Sequence, residues 1–489
     1  MNRLLAPIKK ILPKNAFSRS VSVLVGGTAG SQALMVLTTP LLTRLYTPED
    51  FGVLAVYAGL LSIIAVVGCL RYEIAIPLPK TDVAAYNIIL LCLSILTVLT
   101  AVVALTVFVF DDELVKLFGL ESLANLIWLI PVGMYFFGLY SILKYWAIRK
   151  KWFKDIAVTR LSQSLTMLLI QIGLYKFGTL SLVLGQAAGQ GAGALRLLKR
   201  VDKERFRQSL RMKRVRLLAY RYRNFPLFST WTGFFNTLGN QLPPIIFAAY
   251  FSSGIAGLYA LAHRVTSIPA AVIGQSVANV FLSSAPEARR RGTLDQLLFN
   301  VVHALALISF PAGVFLMINA EFLFAIIFGE AWRDAGLYAT ILVPMLAMGF
   351  ITSPVTTLCA VMDRQIAGAL FQFFMMTVRV GSVGFGVFVS EPLIALKLFS
   401  GLSAACYFCF LLWLTVASGG KPIRMFAMLI KTALISALIP LVVFTLTTFD
   451  EDLLKGGFAV VIGSFFAAVC AYFINYISWR CCGQAGVKI

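Results

Sequence analysis

"ALAHRVTSIPAAVIG", residues 260–274, sets His263, Arg264 and Pro269 inside a run that is otherwise apolar enough to cross a bilayer. A guanidinium stays charged at any physiological pH, and placing it in hydrocarbon costs from a few kcal/mol upward unless it meets a partner, water or a ligand. The stretch therefore reads as part of a helix bundle with a sheltered interior, and the flanking sequence shows how large that bundle is.

The 489 residues are 59% hydrophobic and 13% charged, with a mean hydropathy of +0.87, which excludes an ordinary soluble globular chain. No polar stretch is long enough to fold as a separate soluble domain. The first residues carry Arg3, Lys9, Lys10, Lys14 and Arg19, and the apolar run after them lacks an A-x-A-like cleavage site, so it reads as an uncleaved anchor. The eight cysteines fall in apolar runs or at a predicted cytoplasmic end, which implies no disulfide framework. Cys406-x-x-Cys409 lacks the second pair that a zinc site needs, and no metal site is expected.

A helix rises 1.5 Å per residue, so about twenty apolar residues cross a hydrocarbon core of about 30 Å. Fourteen such runs are read, at about 20–42, 51–70, 84–110, 123–147, 156–178, 179–197, 224–250, 255–284, 297–320, 336–360, 364–389, 393–418, 425–447 and 456–479. With both termini in the cytoplasm, most of the 42 Lys and Arg fall in the tails and alternate loops on the inside, as the positive-inside rule requires. The longest loop, "LKRVDKERFRQSLRMKRVRLLAYRYR" (198–223), reads as a basic linker lying against anionic membrane lipids rather than as a nucleic-acid site.

The chain also aligns on itself. "TPLLTRLY" (39–46) lies over "PPIIFAAY" (243–250), pairing Pro40 with Pro244, and one residue of slip then pairs Gly52 with Gly257. "KLFG" (116–119) before Pro131 recurs as "IIFG" (326–329) before Pro344. The expected architecture is all-α and polytopic, with two six-helix halves related by a parallel pseudo-two-fold plus a final helix pair. Its parts are a cytoplasmic segment 1–19, a first half 20–197, the linker 198–223, a second half 224–418, and an extra helix pair with cytoplasmic tail at 419–489. Parallel repeats of this kind occur in transporters whose site lies between the halves.

Polar residues form stripes at helical spacing. Arg264, Ser267, Ala271, Gln275 and Asn279 share one face, with Arg264 roughly 15 Å from the outer end. Gln365, Gln372, Met376 and Arg379 share another; Gln32 lies between Thr28 and Thr39, and Asn236 and Asn240 are one turn apart. Ligand-facing roles and structural pairing are both open for Arg264 and Arg379, but no Asp or Glu lies in the middle third of any span. A basic, acid-poor interior points to an anionic substrate.

Other residues carry two readings. Arg71, beside Glu73 in "LRYEIAIP", either faces a cytoplasmic mouth or forms an interfacial ion pair. His263 could titrate during a cycle or touch a neighbouring helix, so His263 and Glu73 are candidates for proton or ion coupling. Pro40, Pro244 and Pro269 either hinge their helices or bend them for packing.

"LLTRLYTPEDFGVLAVYAGLLSI" (41–63), "LRYEIAIPLP" (70–79) and "GIAGLYALAHRVTSIPAAVIG" (254–274) resemble the multidrug/oligosaccharidyl-lipid/polysaccharide exporter superfamily, in particular its polysaccharide-synthesis branch containing the Wzx-type O-antigen flippases. The third stretch also resembles the lipid II flippases, in which an arginine a few residues before a proline lines a cationic cavity; that role falls on Arg264 with Pro269. Arg379 rests on its stripe alone. The resemblance implies a monomeric flippase of the bacterial cytoplasmic (inner) membrane. It would move an undecaprenyl-diphosphate-linked oligosaccharide, a repeat unit of O-antigen, capsule or exopolysaccharide, from the cytoplasmic to the outer leaflet by alternating access. It would work beside polysaccharide polymerase and assembly proteins.

Substrate contacts are expected from Arg264, Arg379, Arg71, Gln275, Asn279, Gln32, Asn236, Asn240 and Gln372. No cofactor is expected, and without a G-x-x-x-x-G-K-[ST] motif the energy would come from an H+ or Na+ gradient or from consumption of product. Two rivals remain: a multidrug antiporter of the same superfamily, which should show acidic residues in its first helix, and a membrane glycosyltransferase or polymerase using "DDE" (111–113) or "DED" (450–452).

Overall fold

The computed structural model describes residues 16–117, 124, 126–209, 211–269, 273–362 and 364–448, with a few positions between 464 and 472. The helices are α1 Ala16–Leu45, α2 Pro48–Val67, α3 Asp82–Leu117, α4 Leu129–Arg149, α5 Phe153–Gly173, α6 Thr179–Leu198, α7 Lys203–Ser209, α8 Met212–Arg221 and α9 Thr230–Tyr250. They continue as α10 Ser253–Pro269, α11 Gln275–Arg291, α12 Leu294–Phe328, α13 Arg333–Thr352, α14 Leu358–Val361, α15 Gln365–Val389, α16 Pro392–Ala417 and α17 Pro422–Thr448. Seven stretches among the described residues, on α2, α3, α5, α12, α13, α15 and α16, are both long and apolar enough to cross a membrane. The protein is an all-helical, multi-pass membrane protein. The expected span at 456–479 and the segment 1–15 fall largely outside the described residues.

The chain forms two compact units, Met1–Gly257 and Leu258–Ile489. The division falls inside α10 rather than in the basic linker, because α9 packs on α2 within the first unit. At this end of α10 the backbones nearly touch: a Cβ on Gly52 would lie 1.8 Å from the Ser253 carbonyl oxygen, and one on Gly257 1.8 Å from that of Pro48. The two glycines that the repeat aligns therefore meet at one helix crossing, the close approach that small residues permit where lipid offers no hydrophobic drive between helices.

Within unit 1, α2 starts with a capping box, Thr47 and Asp50 each bonding the other's backbone N–H. Asp50 also accepts from the Thr179 hydroxyl at the start of α6. Gly185, Gly189 and Gly193 let α6 lie close on Gln163, Met167 and Gln171 of α5. Ser31 and Ser164 join α1 to α5 at 2.7 Å. The linker is helical and docked on α3: Asn87 donates to the Ser209 carbonyl at 2.9 Å and accepts from the Arg211 N–H at 2.9 Å. On α8, Val215 and Leu218 are buried while Lys213, Arg214 and Arg216 are exposed.

Unit 2 packs α12 on α13 and α17, and α16 on α13 and α15, around a core that includes Leu298, Val302, Ile351, Leu411 and Met425. The span expected at 255–284 holds α10 and α11, and residues 270–272 between them lie outside the described residues. Pro269, which lacks a backbone donor, is the last described residue of α10, and Ile273 and Gly274 are helical again and lead into α11 at Gln275. Pro40 and Pro244, by contrast, lie inside the uninterrupted helices α1 and α9.

Candidate functional site

Arg264 lies in the last turns of α10, half-buried, and its side chain makes no hydrogen bond or ion pair with any described residue. Neighbouring polar groups are turned back on their own helix: Thr266 donates to the Ala262 carbonyl at 2.6 Å and Ser267 to the Arg264 carbonyl at 3.2 Å. His263 stacks on Tyr259, ring centroids 5.7 Å apart, and Tyr259 stands edge-on to Phe399. Val265 and Thr266 line an almost wholly apolar cavity of about 260 Å³ with Ile308, Gly313, Val343 and Phe350. Among the described residues none neutralises the Arg264 guanidinium, so its charge is available to water or to an anion.

Arg379 is different. It is 6% exposed, and its guanidinium is gripped from α16: Nε donates to Ser403 Oγ at 3.4 Å and Nη2 to the Tyr407 hydroxyl at 3.1 Å. The group also lies over the rings of Phe399 and Tyr407, at 5.7 and 5.8 Å. Phe399, Ser403 and Tyr407 are spaced by four, so a complementary stripe on α16 receives it. This geometry favours the structural alternative for Arg379, with its charge in electrostatic reach of His263 and Tyr259.

Unit 1 holds the other candidates. Gln32 on α1 and Asn236 and Asn240 on α9 are exposed, with Asn240 donating to the Asn236 carbonyl at 2.8 Å. Arg71 and Glu73 occupy the strained turn after α2, where Leu70 and Arg71 both have positive φ, 47° and 59°. They do not form the ion pair considered from sequence. Arg71 lies over Gly233 of α9, where a Cβ would come within 2.2 Å of Nη2, and its buried Nε has no partner.

Glu73 is 7% exposed with Oε2 unpartnered. Burial raises its pKa above the usual carboxylate range, opposed by a bond from its own backbone N–H and by the charges of Arg71 and Lys144.

Sequence reasoning passed over Lys144 on α4 and Arg160 on α5, because both sit near span ends where cations ordinarily reach water. Neither pairs with a carboxylate among the described residues; each lies over a tyrosine ring, Lys144 over Tyr145 and Arg160 over Tyr140. The nearby cleft of about 460 Å³ between Asp82, Tyr86, Trp152 and Arg205 shows the opposite pattern. There Arg149 and Lys150 pair with Asp82, Arg200 with Asp155 and Arg205 with Asp202.

Gln372 on α15 is half-buried. Gln275 and Asn279 fall on α11, and their side chains lie outside the described part of the structure. No group of three His, Cys, Asp or Glu able to hold a metal occurs among the described residues.

Residues 41–336 match the family described as polysaccharide biosynthesis protein. The succinoglycan biosynthesis transport protein ExoT of Rhizobium meliloti (strain 1021) is 25% identical over 361 residues, covering 72% of this chain and 69% of that protein. Among solved structures, the fold is similar to that of lipid II flippase MurJ in an inward closed conformation, with TM-score 0.74, 14% identity, and coverage of 94% of this chain and 98% of that one. It is also similar to an inward-facing multidrug resistance MATE family transporter of the MOP superfamily, with TM-score 0.55, 13% identity, and coverage of 83% and 94%. All three stretches that carried the sequence resemblance lie inside the matched segment, and the expected exporter fold is the one observed.

Proposed function

Because the chain belongs to the polysaccharide biosynthesis protein family, whose members and fold relatives here are transporters rather than enzymes, we propose that it flips an undecaprenyl-diphosphate-linked oligosaccharide from the cytoplasmic to the outer leaflet of a bacterial inner membrane. The observation that carries this reading is Arg264: a half-buried cation in a membrane protein, with no partner among the described residues. A diphosphate offers the paired oxygens that a guanidinium binds through two charge-assisted hydrogen bonds. The exposed amides of Gln32, Asn236 and Asn240 suit sugar hydroxyls, and Gln372, Gln275 and Asn279 are assigned the same role.

In this reading the headgroup enters from the side of the basic linker, which rests on anionic lipid, and the polyprenyl tail stays in hydrocarbon. Pro40, Pro244 and Pro269 supply bending points. Coupling to an H+ or Na+ gradient is assigned to Glu73, the buried carboxyl, with His263 held against Tyr259 as the second candidate. Polymerase and assembly proteins would receive the product.

The multidrug-antiporter alternative has less support: α1 contains no Asp or Glu to attract a cationic drug. The glycosyltransferase alternative has no further support from Asp111, Asp112 and Glu113, which follow a kink at Phe110 in the last turns of α3; residues 450–452 lie outside the described part. The test is Arg264→Ala in cells that depend on the transporter. Glycan export should stop at normal protein level, Arg264→Lys should retain part of it, and full export by the alanine variant would overturn the assignment.

A further inference from the structure

The turn that carries Arg71 holds more charge than its surroundings balance. Arg71 stands at its start, Lys144 comes from α4 and Arg160 from α5, and the charges of Arg71, Arg160 and Glu73 all act on Lys144. None of the three cations has an ion pair or a side-chain hydrogen bond among the described residues, and the single carboxylate, Glu73, leaves one buried oxygen without a partner. Besides Arg71 and Lys144, the titratable groups around Glu73 are Tyr72 on the turn, the thiols of Cys69 and of Cys92 on α3, and the Tyr145 hydroxyl on α4. Among the described residues no further cation or carboxylate acts on it.

Unpaired cations in a partly buried site are stabilised by an anion that comes and goes, whereas permanent pairing would have recruited carboxylates, as in the adjacent Asp82 cleft. The site lies at the end of unit 1 that carries the linker, since Tyr72 donates to the Ala219 carbonyl of α8 at 2.9 Å.

We propose that Arg71, Lys144 and Arg160 form a second anion site, which takes the diphosphate of the lipid-linked substrate on entry and couples its binding to protonation of Glu73. This rests on the flippase reading of the molecule. An incoming diphosphate faces a buried carboxylate that shares Arg71 and Lys144 with it, and like charges at short range disfavour each other's ionised form. Glu73 therefore takes up a proton when the anion binds, and by linkage the anion binds better when Glu73 is already protonated. Glu73 is a positioning and coupling residue here; the three cations make the contacts.

The sign is fixed. Binding protonates Glu73, so the Glu73 contribution to affinity is constant below its free-state titration, falls by up to about tenfold per pH unit above it, and levels off above the bound-state titration. A diphosphate esterified at one end only, such as a farnesyl diphosphate probe, has an ionisation of its own near about pH 6 that acts in the opposite direction. Glu73→Gln, which fixes the protonated form, leaves only that second trend.

The test uses the purified full-length protein in detergent with farnesyl diphosphate as probe, by calorimetry in buffers of different ionisation enthalpy. The wild-type protein should take up protons on binding, to an extent that shrinks as the pH is lowered, while Glu73→Gln binds without that uptake. Lys144→Met and Arg160→Met should each weaken binding about tenfold or more. Gly233→Ala, whose Cβ would occupy the place of the Arg71 guanidinium, should weaken it with no charge removed. Inorganic pyrophosphate should bind more weakly with the same proton linkage.

Absence of proton uptake in the wild-type protein, equal uptake in Glu73→Gln, or binding indifferent to all three cation-site variants would overturn the proposal. Uptake seen with pyrophosphate but not with the farnesyl probe would overturn the assignment to a lipid-linked ligand. The readouts stay separate from the flippase reading: loss of export in Arg264→Ala with no proton linkage to Glu73 would keep the flippase and discard this site.

Discussion

Arg264 and Arg379 began as equivalent features, two arginines deep in apolar runs on polar stripes, and the structure treats them in opposite ways. Arg379 is closed in by Ser403, Tyr407 and two aromatic rings of α16. Arg264, five residues before Pro269, meets no such group among the described residues. A membrane arginine is thus not by itself a ligand site. What separates the two is whether a neighbouring helix presents a complementary stripe, and that can be tested because a paired cation and an unpaired one fail differently when removed.

The largest contrast should come from alanine at each. Arg264→Ala should lower glycan transport by about a hundredfold, the loss of two charge-assisted hydrogen bonds at about 1.5 kcal/mol each, with little change in the unfolding temperature. Arg379→Ala should lower stability by about 2 to 3 kcal/mol through lost hydrogen bonds and ring packing, measured by thermal or denaturant unfolding in detergent. If both variants keep their stability and lose transport, Arg379 also reads substrate and the contrast is broken.

Gly257→Ala reaches Arg264 through the backbone. Its methyl group would press on the Pro48 carbonyl at the α2 crossing and shift α10, costing about 1 to 3 kcal/mol and part of the transport, while Arg379 is left in place. Tyr407→Phe should cost about 1.5 kcal/mol, one bond to a charged group, and leave transport largely intact.

The smallest effect concerns Glu73, whose pKa is raised by burial. A raised folded-state value means that its contribution to stability is present below the ordinary carboxylate range and is lost as pH rises through the folded value. Unfolding temperatures from about pH 4 to about pH 8 should decline less in Glu73→Gln than in the wild-type protein.

Much of this was legible before any coordinates, for physical reasons. Hydropathy over twenty-residue windows located the helices because the bilayer fixes their length, and 41–63, 70–79 and 254–274 carried the family. The repeat's Gly52 and Gly257 turned out to mark a real crossing.

What sequence did not give were properties set between distant segments. The pairing of Arg379 depends on α16, though Phe399, Ser403 and Tyr407 at intervals of four were a signal that could have been matched to it. That Lys144 and Arg160 make no ion pair among the described residues is set by packing between distant segments, and position near a span end disguised both as ordinary interfacial charges.

The central claim is that the unpaired Arg264 holds the diphosphate, and it is tested most directly by reconstituting the protein in vesicles and following transfer of an undecaprenyl-diphosphate-linked oligosaccharide between leaflets. Wild-type protein should transfer it, Arg264→Lys should do so in part, and Arg264→Ala should not exceed protein-free vesicles; transfer by the alanine variant at the wild-type rate would contradict the claim.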